Sequence, residues 1–469
     1  MKYRRLGLAI IFVLLVGRAR AGGPLNVTGP QAPTPGQSFV WDTSSPVEYT
    51  VDSGPLSTNP SGQTIVSNSQ GLSLVASMFQ TWQSVPTTSI AYKYAGPISA
   101  PGLSSSGDVQ TIQDFDAVLG ACNSGTQSPV IFDADGSLMK ALGLGPLVIG
   151  FSGTCKLDPK AGHIVSAMVV MNGEFQDGVN APTSYNFELT SDEFSEAITH
   201  ELGHFSGLGH SQINLDLYQS GVPGNCNLDE LAGLPLMFPV EFCQSRKSAG
   251  LPTLAPDDMA WISKLYPNSE YGSDYGTISG FVLFADGITA FQGANVIARR
   301  VDDPSTPEDE SKRIAVSVVS GFLFTGNPGQ AITGDNTGGS AFGSRNTALI
   351  GYYEIPVPPG TYTVQTENID SSFTQGSRVG PLDPPVVISA APEYWHRYES
   401  AYDDPTVKDP ITVQAGQKLS NINFTLNQVN PTLNRFDQFE DGETDLLLPW
   451  KRLLIGFPFL SFTLVRVVS

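Results

Sequence analysis

Three of the five histidines in this 469-residue chain lie within one stretch of eleven residues, at a spacing that suits metal binding. His200 and His204 are four residues apart, so on a helix their imidazoles point from the same face. Gly207 can end that helix, because glycine accepts the left-handed backbone conformation common at helix ends. The chain can then turn back and bring His210 to the same ion. The spacing therefore predicts a three-histidine site for zinc.

Glu201, next to the first of these histidines, has the chemistry of a proton carrier. Three protein ligands leave one position for water, as in catalytic rather than structural zinc sites. Zinc lowers the pKa of that water to about 7, so hydroxide is available at neutral pH. Glu201 lies about 100° round the helix from His200, where its carboxylate can reach the water without binding the ion. We expect it to act as general base and then as general acid. A regulatory or inactive zinc site is the alternative.

The segment 200–210 has the sequence HELGHFSGLGH. It matches HExxHxxGxxH, and here the chain resembles the metzincin metallopeptidases. LMFP at 236–239 is similar to the Met-turn of that clan, in the form found in matrixins, which implies that Met237 supports the site. A methionine can also simply fill a core. PDDMAWISKLY at 256–266 resembles the C-terminal helix of matrixins. The resemblance implies one catalytic Zn²⁺, a protein or peptide substrate, and hydrolysis of peptide bonds.

Several features depart from the matrixin pattern. Twenty-seven positions separate His210 from Met237, whereas matrixins reach the Met-turn soon after the third histidine. The inserted segment lies where the family builds its S1′ pocket, so the sequence does not predict specificity. Only His163 and His396 remain outside the motif, and we therefore expect the second, structural zinc of matrixins to be absent. No cysteine precedes Cys122, so a cysteine-switch prodomain is not expected either.

The elements that must position these residues can be predicted from hydrophobic periodicity. Residues 67–85 carry apolar side chains three and four apart, which is typical of an amphipathic helix. A second helix begins at Ser191, after a capping-box pattern, and a third begins near Pro256. These helices and the intervening strands indicate an α+β domain over residues 46–268, for which the resemblance implies a mixed twisted sheet and three main helices. The predicted strands are 47–52, 90–94, 129–132, 147–151 and 164–171.

One of these strands has a further predicted role. If the strand at 164–171 forms the edge of the cleft, it can pair with an extended substrate. An ordinary internal strand is the alternative, and the sequence does not decide between the two.

Beyond residue 268 the pattern becomes that of an antiparallel β-sandwich. Segments 278–299 and 352–367 alternate apolar and polar residues and are broken by turns, and 422–426 adds a strand. Residues 277–427 resemble carboxypeptidase regulatory-like, or transthyretin-like, β-sandwich domains. The matching stretches are GFV at 280–282, GANV at 293–296 and PPGTY at 358–362. This resemblance implies a fold and no catalytic site. We make no structural prediction for the tail, residues 428–469.

Charge and the N-terminal sequence restrict the possible partners and location. The chain has 45 acidic and 25 basic residues, a balance that repels nucleic acid. Residues 1–21 have the charged start, short apolar run and small terminal residues of a signal peptide. The apolar run is too short to span a bilayer. We therefore expect a secreted protein with no transmembrane anchor, in which residues 22–45 form an extended leader. The oligomeric state is not predicted.

The cysteines fit an exported protein as structural disulfides. Three pairings are possible, and the sequence alone does not choose among them. Pairing nearest neighbours would close loops 33 and 17 residues long. The four residues are Cys122, Cys155, Cys226 and Cys243.

A calcium site is a further hypothesis. Asp133 and Asp135, in the tetrad DADG, could supply oxygen ligands to Ca²⁺. Most such tetrads are ordinary turns, which is the alternative interpretation.

The leading hypothesis is a secreted zinc endopeptidase. In it His200, His204 and His210 hold the ion, Glu201 carries the proton, and Met237 supports the site. A second hypothesis is a secreted binding or adhesion protein, whose β-sandwich is the working part and whose zinc site is silent. A third is a zinc hydrolase that acts on an ester or amide other than a peptide bond.

Overall fold

A computed structural model describes most of the chain between residues 22 and 429, together with one later strand. The predicted signal peptide and nearly all of the tail, 428–469, lie outside the described residues. The described residues are 22–103, 107–179, 188–211, 213, 226–241, 243–324, 343–344, 346–368, 392–429 and, as backbone, 463–467.

The described helices include the three that the sequence predicts, together with shorter ones. The predicted helices at 67–85, from 191 and from 256 are confirmed as α1, α4 and α6. The helices are α1 Asn68–Gln83, α2 Ile112–Ser124, α3 Ser137–Ala141, α4 Ser191–Phe205, α5 Leu228–Gly233, α6 Pro256–Leu265, α7 Tyr271–Asp274 and α8 Glu310–Arg313, with 3-10 turns at Gly173–Gln176 and Thr347–Leu349.

The strands make the described part of the protein a mixed α/β structure. The predicted strand at 90–94 begins two residues later, and the one at 147–151 begins one residue later and ends seven residues later. In chain order they are β1 Val40–Trp41, β2 Val47–Val51, β3 Ser57–Thr58, β4 Thr64–Val66, β5 Tyr92–Pro97, β6 Pro129–Asp133, β7 Val148–Asp158, β8 His163–Asn172, β9 Val240–Glu241, β10 Gly276–Leu283, β11 Asn295–Arg300, β12 Ala315–Val319, β13 Tyr352–Val357, β14 Gly360–Glu367, β15 Glu393–Tyr394, β16 Ile411–Val413, β17 Lys418–Leu419, β18 Phe424–Thr425 and β19 Thr463–Val467.

The largest sheet has the strand order β5-β2-β6-β8-β7-β19-β9, and β1 also pairs with β8. The pairs β5–β2, β2–β6 and β6–β8 are parallel, whereas β7 runs antiparallel to β8. The strand β19 is antiparallel to β7 and parallel to β9. A strand from the end of the sequence therefore completes a sheet that begins near residue 40.

The strand predicted at 164–171 is β8, and it lies inside this sheet. Val169 is paired with Val130 of β6 on one side and with Ser152 of β7 on the other. Residues 166–172 are all buried, as a continuous apolar run in a central strand should be. The prediction of β8 as a substrate-pairing edge is therefore wrong, and the internal-strand alternative is confirmed.

Helices cover both faces of the sheet. On one face α1 and α4 pack together, and the Trp82 indole donates a hydrogen bond to the Thr199 carbonyl at 2.8 Å. Phe79 and Phe205 meet there edge to face, with ring centroids 5.2 Å apart. On the other face α2 packs against β7, where Phe115 lies near Phe151. These contacts hold α4, which carries the histidines, firmly against the sheet.

The chain from 276 to 425 forms two further sheets. One has the order β13-β10-β17 with β18 also on β10, and the other has the order β12-β11-β14-β15 with β16 also on β14. The main pairs β10–β13, β11–β12 and β11–β14 are antiparallel. Apolar residues from both sheets, such as Ile278 and Val296, belong to one buried cluster.

Buried polar contacts join this part of the chain to the first. The Trp261 indole of α6 donates to the Ser317 carbonyl at 2.8 Å, and the Ser317 amide donates to Asp257 Oδ1 at 2.8 Å. The predicted leader begins with a buried stretch at 22–29, whereas much of 31–45 is exposed and includes turns. Its Leu25 amide donates to the Gly207 carbonyl at 2.6 Å, directly behind the end of α4. The leader therefore backs the turn that follows the histidine helix.

The four cysteines form two disulfides between nearest neighbours. Cys122–Cys155 links α2 to β7, and Cys226–Cys243 closes a loop that contains α5 and the LMFP turn. Each bridge thus fixes an element close to the histidine helix. Among the helices that the structure describes, none is both long enough and apolar enough to cross a bilayer.

Candidate metal centre

The helix α4 positions the first two histidines. Its N-terminus is capped by Thr190, whose hydroxyl accepts from the Glu193 amide while the Glu193 carboxylate accepts from the Thr190 amide. This is the predicted capping box. The helix ends at Phe205, and Gly207 follows with φ +89°, a left-handed conformation that glycine adopts readily. The chain reverses there and brings His210 back towards the helix, as the sequence predicts.

The three imidazoles converge. The ring centroids of His200 and His204 are 4.7 Å apart, those of His204 and His210 are 4.7 Å apart, and those of His200 and His210 are 5.2 Å apart. The Nε2 atoms of His200 and His204 are separated by 3.0 Å. All three side chains are buried, with at most 4% exposed.

Hydrogen bonds on the far side of two rings set the direction of their lone pairs. His200 Nδ1 donates to the Leu236 carbonyl and His204 Nδ1 donates to the Leu208 carbonyl, each at 2.7 Å. A carbonyl oxygen only accepts, so each Nδ1 carries the proton and each Nε2 presents a lone pair to the centre. Both ring nitrogens of His210 lack a hydrogen-bond partner among the described residues.

The electrostatics favour neutral rings. Burial lowers the pKa of His200 to about 4. Burial and the neighbouring rings also hold the pKa values of His204 and His210 well below 6.5. Neutral imidazoles whose lone pairs face each other repel unless a cation lies between them. The residues therefore fit a metal ion, and imidazole donors suit transition metals such as zinc, copper, iron and nickel.

Glu201 is fully buried on the same helix and lies against the sheet at β7. A Cβ atom added to Gly150 would lie 3.0 Å from Glu201 Cγ, so glycine at this position of the strand makes room for the glutamate. The predicted proton carrier is therefore between the histidine helix and β7.

Met237 lies beneath α4. The methionine sulfur packs against Gly203 of α4, where it would be the nearest atom to an added Cβ. The Met237 carbonyl accepts from the Ser211 amide at 2.9 Å. The preceding carbonyl, of Leu236, is the one that holds His200. The LMFP turn therefore supports the histidine helix from below and fixes the orientation of one ring.

Asp258 was not identified from the sequence as a site residue, although it organises this turn. Its carboxylate accepts from the Leu236 amide at 2.7 Å and from the Met237 amide at 3.0 Å, and it is 1% exposed. Burial raises the pKa of Asp258. The available sequence signal was its position, the third residue of a helix that begins at Pro256, where a carboxylate commonly accepts from backbone amides.

A partly open pocket adjoins His200. The segment around the Cys226–Cys243 disulfide supplies much of its wall, including Leu234, Pro235 and Val240. Glu241 also lines it, and both carboxylate oxygens of this residue are shielded from solvent with no hydrogen-bond partner among the described residues. Burial, with Glu193 and Glu196 nearby, raises the pKa of Glu241 well above its usual value.

The aspartates proposed for calcium behave as parts of a turn. Asp133 is buried and its two oxygens accept from the Leu138 and Met139 amides at 3.0 and 2.7 Å. Asp135 accepts from the Ser137 amide at 3.0 Å. These contacts cap the short helix α3, and they support the ordinary-turn alternative.

Comparison with known proteins gives no match: no family model, no curated protein and no solved structure is found to be similar to the chain. What the centre can do follows from its geometry. Three buried imidazoles aim at one point, a carboxylate follows the first of them on the helix, and a pocket opens beside them.

Proposed function

We propose that the chain is a zinc-dependent endopeptidase with a metzincin-like catalytic domain. The observation that carries the proposal is the convergence of three buried, neutral imidazoles at the end of α4, two with Nε2 lone pairs fixed towards the centre. A purely structural zinc site uses four protein ligands. Among the residues that the structure describes, three donors converge here, and Glu201 adjoins the first.

Each residue has a separate task in this proposal. Zinc, when bound, supplies a Lewis acid that activates water and polarises the scissile carbonyl. His200 and His204 are held in place by the Leu236 and Leu208 carbonyls, so little reorganisation is needed. Glu201 takes a proton from water as it attacks and delivers it to the leaving amine. Burial of Glu201 excludes bulk solvent from that transfer.

The groove beside β7 supports a peptide as the substrate. The strand β19 runs antiparallel to β7 and parallel to β9, so the space between them accepts an extended backbone. Its Val465 pairs with Gly150, the glycine that lies against Glu201. A peptide substrate that pairs with β7 as β19 does would add a strand to the sheet. Its scissile peptide bond would then pass over the three histidines. The pocket next to His200 then receives one substrate side chain.

The remaining parts of the proposal concern the whole protein. The two disulfides fit a secreted enzyme. The two sheets between 276 and 425 share a buried core, which supports a carboxypeptidase regulatory-like β-sandwich. We assign that region no catalytic task.

The test combines metal analysis with digestion of an unstructured protein. The purified chain should carry one zinc per molecule and should degrade casein, and a chelator should abolish the cleavage until zinc is restored. Zinc without any cleavage of casein or of a peptide library would favour the silent-site alternative. Cleavage of esters or small amides alone would favour a non-peptidase hydrolase.

A further inference from the structure

A second group of metal-competent side chains lies in the C-terminal part of the chain, in the loop that follows β15. His396, Glu399 and Asp403 each offer a ligand atom, and these atoms lie within 4.8 Å of one another. Glu393, in β15, adjoins them and is 1% exposed. The cluster is distant in sequence from the three histidines of α4, and it does not depend on the function proposed above.

Backbone amides hold the carboxylates in place. Glu399 accepts from the His396 amide at 3.0 Å and from the Thr425 amide at 2.9 Å. Glu393 accepts from the Asn427 amide at 3.1 Å. The Asn427 side chain donates to Asp403 Oδ1 at 2.8 Å. Contacts from two separate segments, 393–403 and 425–427, thus fix three acids around one small volume.

The charge in this volume is not balanced. Oε1 of Glu393 has no hydrogen-bond partner among the described residues, although it is buried. Burial, reinforced by the carboxylates of Glu399 and Asp403, raises the pKa of Glu393 to about 8. In the part of the chain that the structure describes, no lysine or arginine forms an ion pair with any of the three acids. A buried carboxylate beside two partly buried ones is costly unless a cation is shared among them.

His396 indicates which cation fits. Its Nδ1 accepts from the Tyr398 amide at 3.1 Å, so the proton of the neutral ring is on Nε2. That Nε2 lies 3.1 Å from Asp403 Oδ2. Nδ1 is occupied by the Tyr398 amide, and Nε2 faces a carboxylate without forming a hydrogen bond to it. Neither ring nitrogen therefore offers a lone pair to an ion, and the groups left to bind one are oxygens. Oxygen donors select hard cations, whereas zinc prefers nitrogen and sulfur.

We propose that Glu393, Glu399 and Asp403 bind a calcium ion, with His396 as a positioning residue for Asp403. Calcium binds oxygens at about 2.3–2.6 Å, so ligand atoms on opposite sides of one ion are about 5 Å apart. Ligand atoms of Glu399 and Asp403 lie within 4.8 Å of each other, which meets this condition, and Glu393 interacts with both carboxylates. The strands β15 and β18 belong to different sheets, and the ion ties the ends of both together. Its role is structural.

The test uses the full chain after chelator treatment and measures calcium binding by calorimetry and thermal unfolding. Wild type should bind one calcium at this site, and saturating calcium should raise Tm by about 5 °C. Magnesium at the same concentration should have a much smaller effect, because it demands a tighter octahedral shell.

Glu393→Gln is the informative variant, because the amide replaces the unpartnered oxygen with a donor towards Glu399 and should leave the fold intact. It should unfold without calcium at or above the wild-type temperature and lose the calcium shift. Asp409→Asn, an exposed acid paired with Arg397 outside the cluster, should keep the shift. Calcium binding that persists in Glu393→Gln, no calcium binding by wild type, or displacement of calcium by equimolar zinc would each overturn the proposal.

Discussion

The three histidines at the end of α4 and the cluster around β15 are both groups of metal-competent side chains, but they differ in burial, in donor atoms and in what holds them. At the first, nitrogen lone pairs converge from a helix and the turn behind it. At the second, carboxylates converge from a loop and are fixed by amides of a distant strand end. The first is fully buried and has an adjoining pocket and an adjoining carboxylate, whereas two acids of the second are partly exposed.

This difference explains why only one site could be predicted. Helix periodicity places His200 and His204 on one face, so residue spacing alone carries the information. The second cluster depends on Thr425 and Asn427, which reach Glu399 and Glu393 only after the two sheets have formed. No spacing in the sequence encodes that contact.

The largest expected effect comes from Glu201→Ala, which tests whether the first site is catalytic. Loss of the proton carrier should reduce casein hydrolysis about a thousandfold, while the zinc content stays at one per chain. Rates should be measured with a fluorescent casein and zinc by elemental analysis. Asp192→Asn, an exposed acid in the first turn of the same helix, is the matched control and should retain activity. Normal turnover by Glu201→Ala would remove its assigned role.

The next largest effect should come from removing the strand between β7 and β9. Deletion of residues 463–469 should raise peptide cleavage about tenfold, because a tethered strand no longer competes for the groove. Val465→Pro should act in the same direction, since a strand paired on both sides loses one ladder hydrogen bond to proline. Ser469→Pro, beyond the strand, is the control. If the deletion lowers cleavage while the protein stays folded, the strand supports the site and does not occupy it.

Glu241 sharpens the comparison, because both of its buried carboxylate oxygens lack partners among the described residues, as Oε1 of Glu393 does, yet it lines a pocket. A lysine or arginine side chain of a substrate would neutralise it there. Glu241→Gln should lower kcat/KM about tenfold for peptides with a basic residue at that subsite and leave leucine peptides nearly unchanged. A peptide library read by mass spectrometry measures this. Equal losses for both classes would indicate a folding defect.

The smallest effect concerns stability against pH without metals, where the two sites should behave oppositely. The pKa of His200 falls from 6.5 to about 4 on folding. Its contribution to the free energy of unfolding is therefore present above pH 6.5 and is lost as the pH falls towards 4. The pKa of Glu393 rises from 4.5 to about 8 on folding. Its contribution to the free energy of unfolding is therefore present below pH 4.5 and is lost as the pH rises towards 8.

Urea unfolding of the chelated protein between pH 4 and 8 should reveal both slopes. His200→Ala should reduce the loss of unfolding free energy towards pH 4, and Glu393→Gln should reduce the loss towards pH 8. If either variant leaves the pH dependence that it is expected to reduce unchanged, the corresponding pKa shift does not contribute to stability.

The sequence predicts the fold best where periodicity is local. The capped helix that begins at Ser191 and the amphipathic helix α1 are found as expected. The edge of the sheet could not be predicted, because a run such as 164–171 is equally consistent with a central or a lateral strand. In the structure β7 pairs with β8 in the antiparallel direction, and this pairing makes β8 an internal strand. The helix α2 was missed, and its capping box at Thr111 and Asp114 was the available signal.

Of the candidate site, the ligand set and Met237 could be placed from sequence, but their supports could not. Asp258 acts on the LMFP turn from about twenty residues away, and the Leu236 carbonyl meets His200 across 36 positions. Such contacts depend on tertiary packing, for which a single sequence gives no pattern.

The pairing of β19 with β7 has a consequence for how such a protein would be switched on. A segment joined covalently to its own groove faces it at an effective concentration in the millimolar range. A free peptide at micromolar concentration must then bind about a thousandfold more tightly than the tether to fill the groove half of the time. Whatever draws residues 463–467 away, whether a partner protein, a cut in the connecting chain or a surface, would serve as an activator without touching the metal.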